Sequence, residues 1–317
     1  GLPRSDRKLL LPREANGTGM DGQWLDDLHH ALHVALTGES DGYYSSFTDF
    51  ALMLKILREG YAYSGQYSPS WGRRHGTSSG DIPRDRFVVC TQNHDQVGNR
   101  MQGERLSQLT DIDGLKLAAA LLLTSPYVPL LFMGEEYGET APFQFFISHG
   151  DKELVEAVRQ GRIDEFSTFD WQGTPPDPQA EATFERSRLN HDLRESGEHA
   201  LLYRLYGHLL ALRRKNPVLT NPHPEATTVY GDAETRIICL ERRDGPPALR
   251  IFMNFNLEQT LTLRVPGGQS WRLICDSNAP EWCVDTPPAS PAPAELPAEN
   301  REHAVALLPK AFAIYER

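Results

Sequence analysis

The distribution of apolar residues divides the chain into two parts with different periods. Residues 1–220 alternate short apolar runs, typical of buried strands, with stretches whose apolar residues recur every three or four positions. The predicted strands are 23–25, 86–91 and 127–132, and the predicted helices are 28–36, 50–57, 113–124, 154–160 and 201–215. Such an alternation is typical of β/α units around a parallel sheet, an α/β architecture.

Residues 221–317 follow a period of two, which is typical of half-buried strands. The predicted strands are 236–240, 249–255, 261–265, 271–275, 304–308 and 312–315, with Pro287 to Pro297 as a loop between them. Turn signals such as Asp244-Gly245 and Gly267-Gly268 separate neighbouring runs. This part is therefore predicted to be all-β, a C-terminal antiparallel β-sandwich domain that follows an α/β domain of residues 1–220.

Composition and charge exclude several kinds of binding partner and indicate a cellular compartment. The formal net charge of −11 argues against nucleic acid or an anionic membrane surface as a partner, so a neutral small molecule fits best. The longest apolar stretch, 115–123, is too short to span a bilayer. Four cysteines without metal-site spacing are read as free thiols, which favours a reducing, cytoplasmic location, although a bridge that involves Cys283 stays open.

Chemistry concentrates where the second predicted strand ends. The apolar run Phe87-Val88-Val89 stops at Asn93-His94-Asp95, a cluster of polar groups that a core could not hold unpaired. In β/α barrels the side chains at the strand ends converge on one mouth, where the active site lies. His94 and Asp95 are therefore predicted to face a ligand that is rich in hydroxyl groups or has cationic character.

Four motifs resemble the maltooligosyltrehalose trehalohydrolases, a family in the α-amylase clan of glycoside hydrolases. The motifs span Gln92–Arg100, Leu130–Glu136, Pro142–Phe146 and Asp21–His30. The resemblance implies the second half of a (β/α)8 TIM barrel, followed by the sandwich. It also implies a retaining glycoside hydrolase that needs no cofactor or metal and cleaves the α-1,4 bond next to the terminal trehalose of maltooligosyltrehalose.

The same resemblance assigns roles to single residues. Asp95 becomes the stabiliser of the transition state, and a further set of residues is expected to contact sugar. That set is Asn93, His94, Gln96, Asn99, Arg100, Trp24, Asp26, Asp27, His29, His30 and Glu136. Glu135 and Glu136 both end a strand, with Glu136 slightly favoured. Trp24, Tyr43, Tyr44 and Trp71 are candidates for stacking on sugar, and Phe143, Phe145 and Phe146 for walling the trehalose end.

One departure from the family pattern affects the mechanism. The family's nucleophile lies in an Asp-Gly-x-Arg-x-Asp-Ala strand, whereas Asp21-Gly22-Gln23-Trp24 carries tryptophan where the arginine belongs. No strand that could carry the acid lies between this segment and Asp95. We therefore expect the nucleophile and the general acid on an amino-terminal barrel half outside this chain, and that half as a partner, covalent or nicked. Alone, three parallel strands would leave apolar faces bare.

Alternatives from other classes stay open. Within the clan, a glucan branching enzyme or an amylase differs in whether sugar or water accepts the glycosyl group. A non-catalytic glycan-binding fragment would bind without turnover. A metal-dependent hydrolase built on His29 and His33, which have helical four-residue spacing, lacks the glutamate that such a site needs beside the first histidine.

Overall fold

The computed structural model describes residues 5–166, 173–245, 247–286 and 288–317. In chain order the strands are β1 Gln23–Trp24, β2 Ser64–Ser68, β3 Arg73–Gly76, β4 Phe87–Val89, β5 Val128–Pro129, β6 Thr227–Asp232, β7 Ile237–Arg242, β8 Leu249–Asn254, β9 Leu261–Pro266, β10 Trp271–Asp276, β11 Glu295–Leu296, β12 Glu302–Leu307 and β13 Phe312–Glu316. The helices are α1 Asp26–Thr37, α2 Ala51–Glu59, α3 His94–Gly98, α4 Leu106–Leu109, α5 Ile112–Thr124, α6 Lys152–Phe166, α7 Glu181–Arg186 and α8 Gly197–Lys215.

Three short strands form a parallel sheet in the order β1-β4-β5. Helices separate these strands along the chain, as the alternating pattern predicts. The third strand is shorter than predicted, because after Pro129 only the Leu130 amide continues the ladder, donating to the Val89 carbonyl at 2.8 Å. The helices predicted at 28–36, 50–57, 113–124, 154–160 and 201–215 all exist, and four of the five begin before the predicted residue.

The two faces of the parallel sheet are covered differently. Phe87 and Tyr127 are fully buried against each other and against α2, where the Tyr127 hydroxyl donates to the Ile56 carbonyl. On the other face Trp24, Val88 and Val128 lie side by side in register. Trp24 is 45% exposed and Val128 39% exposed, so the described residues cover this row of apolar side chains only in part.

Helices α5 and α8 pack beside the sheet and are held by polar contacts at their ends. Asp111 caps α5, since its carboxylate accepts a hydrogen bond from the Gly114 amide at 3.0 Å. Arg213, in the last turn of α8, donates to the carbonyl oxygens of Leu123, Ser125 and Tyr127. These bonds satisfy carbonyls at the end of α5 that have no partner within the helix.

The second part of the chain forms two antiparallel sheets. The larger has the order β11-β10-β13-β8-β7-β6, and the smaller pairs β12 with β9. A dry cluster that includes Phe252, Trp271 and Tyr315 lies between the two sheets. The predicted sandwich is present, with two strands that the sequence pattern did not indicate, β6 and β11.

A continuous core joins the two parts. The other face of the six-stranded sheet packs on the helices, so that Leu54, Leu205, Leu240 and Ile251 belong to one buried cluster. The Lys116 ammonium of α5 is buried and donates to the Ser277 carbonyl at 2.9 Å. The division at residue 220 therefore separates two architectures that share a core.

Residues 61–80 contain the antiparallel ribbon of β2 and β3. In the described ranges, no helix is both long and apolar enough to cross a membrane.

Candidate active site

The segment that follows β4 forms a short helix, α3, with a capping box at its start. The Asn93 side chain accepts a hydrogen bond from the Asp95 amide at 2.8 Å, and the Asn93 amide donates to the Gln96 side chain at 3.1 Å. Both side chains are buried. The Asn-x-x-Gln spacing thus satisfies the free amides of the first turn and fixes the direction in which the helix leaves the strand.

With Asn93 and Gln96 directed into the protein, the side chains of His94 and Asp95 lie on the surface. Their side chains are 58% and 53% exposed, and His94 Nε2 lies 3.2 Å from an Asp95 carboxylate oxygen. The neighbours on each side, Asn93 and Gln96, are buried. The structure therefore presents one carboxylate and one imidazole at the carboxyl end of a parallel strand, as the motif predicts.

Trp24 and Asp26 lie beside this pair, at the end of the adjacent strand. The Trp24 and His94 rings meet edge to face with centroids 6.0 Å apart. Asp26 is half-buried and accepts a hydrogen bond from the Gln96 side chain. Burial raises the pKa of Asp26, and the negative charge of Asp95 raises it further. Two carboxylates and two rings thus share one polar surface.

Asp27 lies away from that surface. Its carboxylate is buried and accepts hydrogen bonds from the Ala62 amide at 2.6 Å and from the Ser5 hydroxyl at 3.5 Å. Burial raises the pKa of Asp27 to about 7, against the effect of the amide donor. A residue predicted to contact sugar therefore holds two loop segments together in this structure.

His29 and His30 are buried as well. His29 Nδ1 lies 2.7 Å from the Thr91 carbonyl oxygen, and its Nε2 lies 3.2 Å from the Tyr44 hydroxyl. Burial lowers the pKa of His29 to about 3, so the ring is neutral. His30 stacks on Tyr43, and among the described residues neither of its ring nitrogens has a hydrogen-bond partner.

Asn99 and Arg100 are engaged by protein groups. The Asn99 side-chain oxygen accepts a hydrogen bond from Arg162 of α6 at 3.1 Å. Arg100 donates both terminal nitrogens to the Glu39 carboxylate, at 2.7 and 2.8 Å. Both side chains therefore hold the segment that carries Asp95 through contacts with protein groups.

The glutamates at the end of β5 differ from each other. Glu136 is half-buried and accepts from the Gly134 amide at 3.0 Å. Glu135 is buried and accepts from the Thr91 hydroxyl, the Phe132 amide and the Tyr206 hydroxyl. Burial raises the pKa of Glu135 to about 8, so its carboxyl group is largely neutral at pH 7.

The aromatic residues predicted to contact sugar differ in their ring contacts and in their exposure. Tyr43 and Tyr44 pack on histidine rings of α1, and Trp71 stacks on His75 with centroids 4.5 Å apart. Phe143 meets Phe132 edge to face. Trp24, Phe145 and Phe146 are each more than 40% exposed. The Arg162 guanidinium lies over the Phe145 ring at 4.7 Å, and Phe146 meets Phe184 edge to face.

The metal hypothesis receives no support from the geometry. His29 and His33 bind Thr91, Tyr44 and Glu39. Within the part of the chain that the structure describes, no group of three or more potential metal ligands converges.

Glu39 is a residue of the site that the sequence pattern missed, and Glu135 is one that it ranked second. Glu39 follows Gly38, whose positive φ of 75° turns the chain back at the end of α1. Glu135 was paired with Glu136 as a candidate and was the less favoured of the two. No local pattern marks Glu39, because Arg100 reaches it only through a tertiary contact. Glu135 combines a local donor, the Phe132 amide, with the distant hydroxyl groups of Thr91 and Tyr206.

Sequence comparison places the chain beside a group of bacterial enzymes. It is 44% identical over 263 residues to the malto-oligosyltrehalose trehalohydrolase of Rhizobium sp. (strain M-11), covering 82% of this chain and 43% of that protein. It is 48% identical over 232 residues to the enzyme of the same name from Brevibacterium helvolum, covering 70% of this chain and 39% of that protein. The chain therefore spans about two fifths of the length of the curated relatives it matches. No family model matches the chain.

Comparison with solved structures likewise matches this chain to only part of a longer protein. A protein from Salmonella typhimurium that carries the provisional name α-amylase superposes with a TM-score of 0.79 at 34% identity. The match covers 99% of this chain and 50% of that protein. The chain thus has the fold of about half of an α-amylase-like structure.

Proposed function

Because this chain belongs to the family of the malto-oligosyltrehalose trehalohydrolases, we propose that it is part of a retaining glycoside hydrolase of that specificity. The bond cleaved is the α-1,4 bond next to the terminal trehalose of maltooligosyltrehalose, and trehalose is released. The observation that carries the proposal is the exposed pair of His94 and Asp95, held at a strand end by a buried capping box.

Asp95 is the proposed stabiliser of the transition state. Its carboxylate accepts hydrogen bonds from hydroxyl groups of the sugar in the cleavage subsite, and these bonds strengthen as the ring gains oxocarbenium character. His94 binds the same sugar, and Trp24 supplies a flat apolar surface beside it. Asp26, whose pKa is raised, is suited to donate a hydrogen bond to a sugar oxygen when it is protonated.

The covalent steps need two further carboxyl groups, which we place on a barrel half outside this chain. A carboxylate nucleophile bonds to the anomeric carbon while the bond to the leaving oxygen breaks and an acid protonates that oxygen. Water then displaces the nucleophile and gives up a proton to the former acid, so the configuration is retained. This chemistry needs no cofactor.

The bare face of the parallel sheet supports the proposed barrel half. All-parallel sheets are almost always covered on both faces, yet the part of the chain that the structure describes leaves Trp24 and Val128, in the row with Val88, substantially exposed. An additional set of strands that closes the barrel would cover this row. On this proposal residues 1–220 are the carboxyl-terminal part of the barrel domain, and residues 221–317 are the sandwich domain. The four free thiols support a cytoplasmic location.

The test compares substrates and one variant, in the complete natural protein that contains this chain. We expect rapid hydrolysis of maltooligosyltrehalose and slow hydrolysis of the maltooligosaccharide with the same number of glucose units. Asp95→Asn should lower kcat/KM about 10³-fold or more, because several kcal/mol of transition-state stabilisation are lost. Asp285→Asn, at an exposed position of the sandwich, is the matched control and should leave the rate unchanged.

Each alternative predicts a different result. An amylase would hydrolyse both substrates at similar rates, and a branching enzyme would form longer transfer products. A glycan-binding fragment would bind without turnover, and Asp95→Asn would leave its affinity unchanged.

A further inference from the structure

The segment of residues 91–100, which carries Asp95, is held at both of its ends by side chains of the α1 region. At the first end, His29 Nδ1 bonds to the Thr91 carbonyl oxygen at 2.7 Å. At the second end, the Arg100 guanidinium forms a two-pronged pair with the Glu39 carboxylate. His94 and Asp95, the exposed residues, lie between these two attachments.

The two attachments are also connected to each other. Glu39 accepts a third hydrogen bond, from His33 Nε2 at 2.7 Å. The His33 ring stacks on Tyr44 with centroids 4.3 Å apart and an interplanar angle of 12°. The Tyr44 hydroxyl lies 3.2 Å from His29 Nε2. A continuous circuit of contacts therefore runs from Thr91 through α1 to Arg100.

Charge and burial make the Glu39–Arg100 pair the strongest link of the circuit. Two parallel N–H to O bonds between a guanidinium and a carboxylate fix orientation as well as distance. The side chain of Arg100 is 10% exposed and that of Glu39 is 31% exposed, so water screens the pair only in part. The hydrogen bonds from His33 and Arg100 lower the pKa of Glu39 to about 2 although burial opposes them, so the carboxylate stays charged at working pH.

We propose that Glu39, acting through Arg100, is a positioning residue that fixes the helix His94–Gly98 and so sets the place of Asp95 against the sugar. This proposal deepens the proposed function and rests on it. A displacement of a reacting group by about 1 Å can cost up to about 100-fold in rate. Loss of the link should therefore lower turnover more than substrate affinity.

The experiment compares two matched variants in the complete natural protein. Glu39→Gln removes the charge and keeps the shape of the side chain. Glu241→Gln makes the same change in the buried Glu241–Arg250 pair of the sandwich, where the nitrogen–oxygen distance is 2.8 Å. Glu241 is the more buried glutamate, so its variant should lose at least as much thermal stability.

For Glu39→Gln we expect kcat on maltooligosyltrehalose to fall about 10-fold per folded molecule while KM changes less than about twofold. For Glu241→Gln both constants should stay at the wild-type value. Arg100→Lys should lower kcat at least as much as Glu39→Gln, because it also weakens the Arg100–Glu104 ion pair. The double variant should lose less than the two single losses combined, because the Glu39–Arg100 link is common to both. Equal kcat values for Glu39→Gln and Glu241→Gln would overturn the proposal.

Amide hydrogen exchange supplies a readout that does not depend on turnover. The amides of Val97 and Asn99 bond to the carbonyls of Asn93 and Asp95 within the helix. Their exchange should become about 10-fold faster in Glu39→Gln and stay unchanged in Glu241→Gln. If the wild-type protein shows no turnover, the proposed function is wrong, and this measurement alone decides the positioning role; unchanged exchange would refute it.

Discussion

The parallel sheet and the antiparallel sandwich bury their strands to different degrees. In the sandwich, all six residues of β7 and all six of β8 are buried, with helices on one side and the small sheet on the other. In the parallel sheet the strands are two or three residues long, and one face is open. The sandwich region buries its apolar residues within this chain. The parallel region instead exposes part of an apolar sheet face next to the polar surface that carries His94 and Asp95.

The difference shows how the two regions use polar groups. In the sandwich, Arg250 pairs with Glu241 and His303 beneath the sheet and stabilises the fold. Around Asp95, the buried side chains of Asn93 and Gln96 and the half-buried Glu39 hold the exposed His94–Asp95 pair in a fixed direction. Hydrogen bonds and ion pairs therefore stabilise the fold in the sandwich, whereas around the candidate site they fix the orientation of the exposed His94–Asp95 pair.

The largest expected difference concerns core truncation. Phe252→Ala should lower the free energy of unfolding by about 3–5 kcal/mol, because the ring is fully buried and meets Tyr315 edge to face. Val128→Ala in the parallel sheet should cost less than about 1 kcal/mol, since that side chain is 39% exposed. Chemical denaturation of this chain measures both values. Similar costs at the two positions would show that the open face is covered in solution.

A lysine on the partly exposed face of the parallel sheet tests whether that face is buried in the full-length protein. Val128→Lys should be nearly neutral in this chain. In a protein extended to the full length of the relatives it should cost at least about 2 kcal/mol, because the proposed barrel half would bury the ammonium group. Thermal unfolding of both forms gives the two values, with Val284→Lys on the exposed surface of the sandwich as control. A neutral effect in both forms would argue against closure over this face.

A third expected effect is a pH dependence that arises from Glu135. Its pKa is raised to about 8 in the folded state, so the folded chain binds one more proton than the unfolded chain between about pH 4.5 and 8. The stability that this proton contributes is full below pH 4.5 and is lost as the pH rises through 8. The slope for one proton is about 1.4 kcal/mol per pH unit.

Glu135→Gln should flatten this slope, because an amide keeps the hydrogen-bonding shape and does not ionise. Unfolding curves at pH 6, 7 and 8 test the expectation. Asp27, whose pKa is raised to about 7, contributes in the same direction and stays in the variant, so part of the slope should remain. An unchanged slope would show that Glu135 is already ionised at pH 6.

The sequence by itself determined the architecture and the centre of the site. Helical periodicity identified α1, α2, α5, α6 and α8, and period two identified most strands of the sandwich, since burial of one face follows directly from those spacings. The apolar run Phe87-Val88-Val89, which stops at Asn93-His94-Asp95, placed Asp95 at a strand end, because the change from apolar to polar residues is local. Glycine in the turns and the Pro217 stop of α8 are equally local.

Only the tertiary structure decided which polar residues reach the surface. Asp26 and Asp27 are adjacent in sequence, yet one faces the mouth and the other is buried against the Ala62 amide. The partners of Glu39, Arg100 and Glu135 lie up to 71 residues away along the chain. No local pattern encodes such pairs, because long-range packing selects which carboxylate is desolvated and which donor reaches it.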